Sequence, residues 1–196
     1  MTTTGILMFK DMEELDFVGP WEVFTMGKLF TPEDRVIAIG LDDKEVRCAK
    51  GMHMRPDVAL DDAPKLDVLV VPGGDGTRPL LKDERLIAWV KARAAQVTWT
   101  TSVCSGSLIL AQAGLLDGRK ATTHWSVLPE LRQYEKVEVV ERMRYVRDGQ
   151  LVTAAGVSAG IDMALWVYGQ VATPERARHV QRAMQYDPAP PYQAVA

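Results

Sequence analysis

A chain of 196 residues, 47% of them hydrophobic and 25% charged, is long enough to remove roughly 70% of its extended-chain surface from water, and its usage excludes a disordered segment or a coiled coil. The formal charge of -3, with no dense Lys/Arg cluster, gives no electrostatic footprint for nucleic acid or for a membrane surface. Two cysteines make no disulfide framework for a single domain spanning residues 1–196, so Cys48 and Cys104 are expected as reduced thiols.

The N-terminal stretch MTTTGILMFKDMEEL has no basic region and only a short apolar run. It reads as neither a secretory signal nor a membrane span, and a cytoplasmic protein is expected. Within it, Ile6 to Phe9 reads as a buried strand, and LDFVGPWEVF opens a helix directly after it. Val36–Leu41, Val68–Val71 and Val97–Val103 are further short runs of large apolar or β-branched residues and read as strands of the same kind. The segment DERLIAWVKARAAQ, residues 83–96, has helical apolar spacing with Asp83 as N-cap. SGSLILAQAGLL repeats that spacing from Ser105, with Gly114 near its C-terminal end. Two alternating stretches joined at Asp148-Gly149 predict a hairpin, hence an antiparallel edge on the main sheet. Helices are predicted over 158–171, capped by Ser158, and over 173–186, capped by Thr173 with Pro174 in the first turn. The proline-rich end, residues 187–196, reads as extended.

This alternation of strand and helix predicts an α/β fold: a doubly wound, mainly parallel sheet with helices on both faces and a small antiparallel addition. Ligands in such sheets bind beyond the carboxyl ends of the strands. The segments EELDFVGP, PGGDG and CSG all fall there. Ser102-Val103-Cys104-Ser105-Gly106 has the small-x-nucleophile-x-Gly spacing of a nucleophile elbow, so Cys104 is the candidate nucleophile. A helix N-terminus favours the thiolate and predicts a thiol pKa lowered from about 8.5 into the range of roughly 3.5–7.5. Cys48, in the charged context KEVRCAK, reads as a packing residue.

Gly73 and Gly74 let backbone approach a ligand closely, and their N–H groups with that of Ser105 are expected to stabilise charge developing on a substrate. Asp16, following the first strand, is the candidate proton carrier, although an acid there also serves as an ordinary first-turn residue. His124, which comes after the short run following the Cys104 helix, is a candidate for substrate or charge stabilisation that no spacing fixes at the site, whereas His53 and His179 read as structural or solvated. Trp21 and Trp125 are candidate walls of the pocket, with an ordinary core role as the alternative favoured for either. The scattered histidines and cysteines have no metal-ligand spacing, so no metal is expected.

The ordered motifs LDFVGPWEVF, VLVVPGGDGTRPL, TSVCSGSLILAQAGLLDGRKATTHW, VTAAGVSAGIDMAL and YDPAPPY resemble the ThiJ/PfpI superfamily, which is class I glutamine amidotransferase-like, over nearly the whole chain. Within it they are most similar to the isonitrile hydratase branch. The resemblance implies a flavodoxin-like sandwich, a homodimer, a cysteine nucleophile carried onto Cys104 and an acid beside it. That acid is Glu in most branches and Asp in the hydratases, as at Asp16 here. It further implies conversion of an isonitrile and water to an N-substituted formamide through a cysteine thioimidate, with no cofactor.

Two departures stand out. Ser105 replaces the threonine of the hydratase pattern, which predicts looser positioning of its hydroxyl. Ala154 and Ala155 replace glycines, which leaves the packing of the next helix open. The ligand-sensing module of AraC-type transcription regulators is also similar, but no basic recognition helix follows before Ala196. A glyoxalase of the same superfamily and a redox-sensing thiol are the other readings.

Overall fold

The structure is a computed structural model describing residues 1–189. Most of the predicted proline-rich end, from Pro190 onward, lies outside the described residues. Strand β1 (Thr3–Met8) is buried at every residue, and α1 (Glu14–Gly27) returns to β2 (Arg35–Gly40). A short ribbon of β3 (Val46–Arg47) and β4 (His53–Met54) precedes β5 (Val58–Ala59) and β6 (Val68–Val71). From there α2 (Thr77–Leu80) and α3 (Glu84–Ala94) lead to β7 (Trp99–Val103), which passes into α4 (Gly106–Gln112). An outlying segment holds β8 (Lys120–Ala121), α5 (Leu128–Leu131) and β9 (Glu138–Val139). The hairpin β10 (Tyr145–Asp148) and β11 (Leu151–Ala154) then precedes α6 (Ala159–Val171) and α7 (Pro174–Ala183).

The central sheet has seven strands in the order β10-β11-β7-β6-β1-β2-β5. Its pairs are parallel except for the β10–β11 hairpin at one edge. This is the doubly wound α/β sandwich predicted, with the antiparallel addition where Asp148-Gly149 placed it. Helices α1, α6 and α7 pack together, and α2 to α5 form a second group around α4. Every side chain of β6 is fully buried, the condition that produces an unbroken VLVV run in a strand covered on both faces.

Boundaries differ where polar residues join the ladder. Strand β1 begins at Thr3, ahead of the apolar run, because Thr3 to Gly5 pair in register with Arg35 to Ile37 of β2. Asp83 and Thr173 cap their helices as predicted, accepting from the amides of Leu86 at 3.0 Å and Arg176 at 3.2 Å. Ser158 does not cap α6; its hydroxyl accepts instead from the Arg144 guanidinium at 3.1 Å. Helix α6, which follows Ala154 and Ala155, packs against α1 and β11, and its Tyr168 donates its hydroxyl to the Gly27 carbonyl of α1 at 3.1 Å. No helix among the described residues is long and apolar enough to cross a membrane.

Leu69, at the centre of β6 and fully buried, tests this packing. Leu69→Ala is expected to lower the unfolding free energy by about 2–5 kcal/mol in urea titration, through lost transfer energy and the cavity left behind.

Candidate active site

The site is organised by the junction of β7 and α4. Cys104 occupies it with φ at +55°, a left-handed conformation unusual for a side-chain-bearing residue. Such a backbone costs on the order of 1–3 kcal/mol and persists only where its surroundings fix it. Here the Cys104 N–H donates to the Ala154 carbonyl at 3.1 Å, while its own carbonyl accepts from the hydroxyls of Thr123 at 2.8 Å and Ser107 at 3.1 Å. Gly106 completes the turn: a Cβ there would stand 2.1 Å from the Val71 carbonyl oxygen, so only glycine lets α4 approach the end of β6 this closely. The outcome is a thiol presented beyond the strand ends with only 9% of the residue exposed.

Asp16, in the first turn of α1, is fully buried. Its Oδ2 accepts from the Gly73 amide at 2.9 Å, whereas Oδ1 has no hydrogen-bond partner among the described residues. Burial pushes the carboxyl up to about 7; the Gly73 amide works against that, and the Glu13 carboxylate adds to it. The two glycines after β6 do something other than predicted. Gly73 spends its N–H on Asp16, and Gly74 spends its own on the Ser105 hydroxyl at 2.9 Å, so neither amide is left to receive charge on a substrate. A Cβ on Gly73 would meet the Ser105 amide nitrogen at 2.6 Å and Asp16 Oδ2 at 2.9 Å. The glycine is the spacer that lets the acid and the elbow come together.

Ser105 is also held more firmly than the missing methyl predicts: its hydroxyl sits 3.1 Å from the Gly74 carbonyl as well as accepting the Gly74 amide. The expected low thiol pKa is corrected by the structure. Burial pushes the Cys104 thiol up to about 12, with the Asp16 carboxylate raising it further, and the Ser105 amide and hydroxyl and the Arg78 guanidinium pull in the other direction without prevailing. Helix α4 is short and its first turn lies in the protein interior, so desolvation outweighs its dipole. The resting sulfur is therefore a thiol, and of the two groups Asp16 ionises first.

Cys104, Ser105, Gly74 and His124 share one pocket of about 400 Å³. Its other walls were not legible as site residues: Glu13 and Lys50, which form an ion pair, and Arg78, whose guanidinium bridges both oxygens of Glu130 at 2.7 and 3.2 Å. Arg78 lies in the segment PGGDGTRPL, one helical turn beyond Gly74, and that spacing was the available signal. Val157, another wall, carries φ of +43° and directs its amide toward Asp16. The two tryptophans are not walls. Trp21 stacks on Phe17 at 5.6 Å, and Trp125 is 76% exposed with its ring 5.4 Å from that of His124. His53 pairs with Glu45 at the surface, His179 packs on Phe30, and Cys48 is a buried residue that does not line the pocket, its thiol pushed up to about 11 by desolvation.

The model of the DJ-1/PfpI family matches residues 4–170. The isonitrile hydratase of Pseudomonas putida is 39% identical over 188 residues, covering 96% of this chain and 80% of that protein. A ThiJ/PfpI family protein from Pseudomonas syringae superimposes with a TM-score of 0.91 at 34% identity, covering all of this chain and 79% of that one. The HTH-type transcriptional regulator GbdR of Pseudomonas aeruginosa is 32% identical over 133 residues, 67% of this chain but only 36% of the regulator.

The buried carboxyl has a consequence for stability. Asp16 binds its proton more tightly folded than unfolded, from 3.8 up to about 7, so between those values the native state holds the extra proton and stability falls as pH rises. Asp16→Asn is expected to match the parent near pH 4 and to exceed it above pH 7 by on the order of a few kcal/mol, measured by urea titration across that range.

Proposed function

Because the chain belongs to the DJ-1/PfpI family, and because the buried carboxyl of Asp16, behind the pocket wall, stands close enough to the Cys104 thiol to act on its ionisation, we propose that it is an isonitrile hydratase, a cofactor-independent lyase that adds water to R–N≡C to give R–NH–CHO. The observation that carries this reading is the Cys104–Asp16 pair held by Gly73 and Ser105. The similarity to the Pseudomonas putida enzyme over nearly the whole chain supports it. The single domain, homodimer and cytoplasmic residence expected from the sequence belong to the same reading.

In the resting pair above neutral pH, Asp16 is the carboxylate and Cys104 the thiol. Asp16 takes the thiol proton as sulfur attacks the terminal carbon of the isonitrile, and passes that proton to the same carbon. The product is a thioimidate, R–N=CH–S, bonded to Cys104. Water then adds to its carbon while Asp16 accepts a proton from the water and delivers one to nitrogen. Collapse of the adduct forms the carbonyl, breaks the C–S bond and returns the hydroxyl proton to the pair. The atoms of one water and one isonitrile are all accounted for in the formamide.

Each piece of the geometry has a task in this sequence. The unpartnered Asp16 Oδ1 is the oxygen free to exchange protons, because Oδ2 is tied to Gly73. The Ser105 amide and hydroxyl, which already favour the sulfur anion, stabilise Cys104 as leaving group. A ligand-sensing role like that of the regulator relative is the second reading, favoured by the pocket alone, and it predicts binding without turnover.

Purified protein is expected to produce formamide from p-nitrophenyl isocyanide. Cys104→Ala should abolish turnover, and Asp16→Asn, with its fold confirmed by circular dichroism, should lose turnover by at least roughly 100-fold. Because the active form needs ionised Asp16, kcat/KM should rise with pH through an apparent pKa near 7. Full activity of Asp16→Asn would remove the acid from the mechanism.

A further inference from the structure

The ring of His124 is constrained on three sides. The Ser126 amide points at Nδ1 from 3.4 Å, and the Ser126 hydroxyl lies 2.8 Å from the same nitrogen. An amide N–H can only donate, so Nδ1 carries a lone pair, the hydroxyl donates to it as well, and the ring proton belongs on Nε2. This is a cap: His124 closes the start of the short 3-10 turn 125–127. On a second side the ring's Cδ2 edge rests on Gly156, where a Cβ would come within 2.5 Å of Cδ2. On the third, the face meets the Trp125 ring.

Nε2 has no partner among the described residues, and His124 is a wall of the pocket that holds Cys104. Burial also holds the imidazole below its ordinary pKa, with the Glu13 carboxylate opposing, so the ring is neutral near pH 7.

We propose that Ser126 is a positioning residue that fixes the His124 ring with its proton on Nε2, from which it donates a hydrogen bond to the nitrogen of the thioimidate. This rests on the hydratase reading and adds to it the group that meets nitrogen. When water adds to the thioimidate carbon, electron density shifts to nitrogen, which Asp16 protonates. A neutral N–H donor aimed at that atom stabilises the change without itself giving up the proton. His124 then acts on the reacting atoms, and Ser126 and Gly156 act through His124.

The test combines histidine nitrogen NMR with steady-state kinetics on the full chain. His124 signals are assigned against His53→Gln and His179→Gln. The parent is expected to show His124 protonated at Nε2 alone. Ser126→Ala should introduce the Nδ1-protonated form and lower kcat with little change in KM, whereas Ser126→Thr should restore both. His124→Phe should lower kcat roughly 100-fold, and His124→Gln, whose amide offers an N–H near the same place, should recover part of that loss. Nδ1 protonation in the parent, or Ser126→Ala with parental spectrum and parental kcat, would overturn the positioning role. An Nε2-protonated parent that turns over no isonitrile would instead overturn the hydratase reading, and with it the donation to thioimidate nitrogen, while leaving the Ser126-fixed ring in place.

Discussion

The left-handed backbone at Cys104 is the constraint on which the rest of the site depends. A parallel strand that passes directly into a helix must reverse within two residues, and the chain does so by placing Cys104 at φ of +55° and glycine at 106. That strain is held by bonds from separate parts of the fold, to Ala154 on β11, Thr123 beyond β8 and Ser107 in α4. A sheet with β7 between β6 and β11 is what brings those partners together. The parallel order is therefore part of the site, because it sets three strand ends side by side and lets the segments following β1, β6 and β7 meet.

Once the turn is fixed, desolvation governs the chemistry. Both the thiol and the carboxyl are pushed toward their neutral forms by burial, and the pair divides the remaining charge according to which has the better hydrogen bonds. Asp16 has the Gly73 amide and ionises near neutrality, while Cys104 keeps its proton. A pair carrying one proton between them suits a reaction in which a proton must move to carbon, then from water to nitrogen, and finally back. The glycines after β6 serve that arrangement through their amides and through the absence of side chains. Their contribution is to position the acid and the serine.

The fold was largely legible because strands covered on both faces are written as short apolar runs, and VLVV at 68–71 became β6 without a shift of boundary. Two-residue elements such as β5 have no period to detect and were missed. The elbow was legible because its spacing specifies a backbone shape, and Asp16 because it follows the first strand at the ligand-binding edge of the sheet. The ionisation of Cys104 was misread, because a dipole argument sees the helix N-terminus and a sequence carries no measure of how deeply it is buried. The same limit explains Trp125: large apolar residues are expected to line pockets, but this one lies on the outside of a turn. Glu13 and Lys50 could not be identified from sequence because their place in the pocket depends on the ribbon of β3 and β4, whereas Arg78 left only its spacing from Gly74 as a signal, its orientation being set by the salt bridge from α2 to α5.

The central claim is that Cys104 bonds to the substrate carbon and leaves again, with Asp16 carrying the proton. It is tested most directly by quenching the enzyme in acid during turnover of p-nitrophenyl isocyanide, then measuring intact mass and mapping the modified peptide. The account predicts a transient gain equal to the whole isonitrile, located on Cys104 and gone once substrate is exhausted. Turnover with an unmodified Cys104 at every time point, or a permanent adduct that accompanies loss of activity, would contradict it.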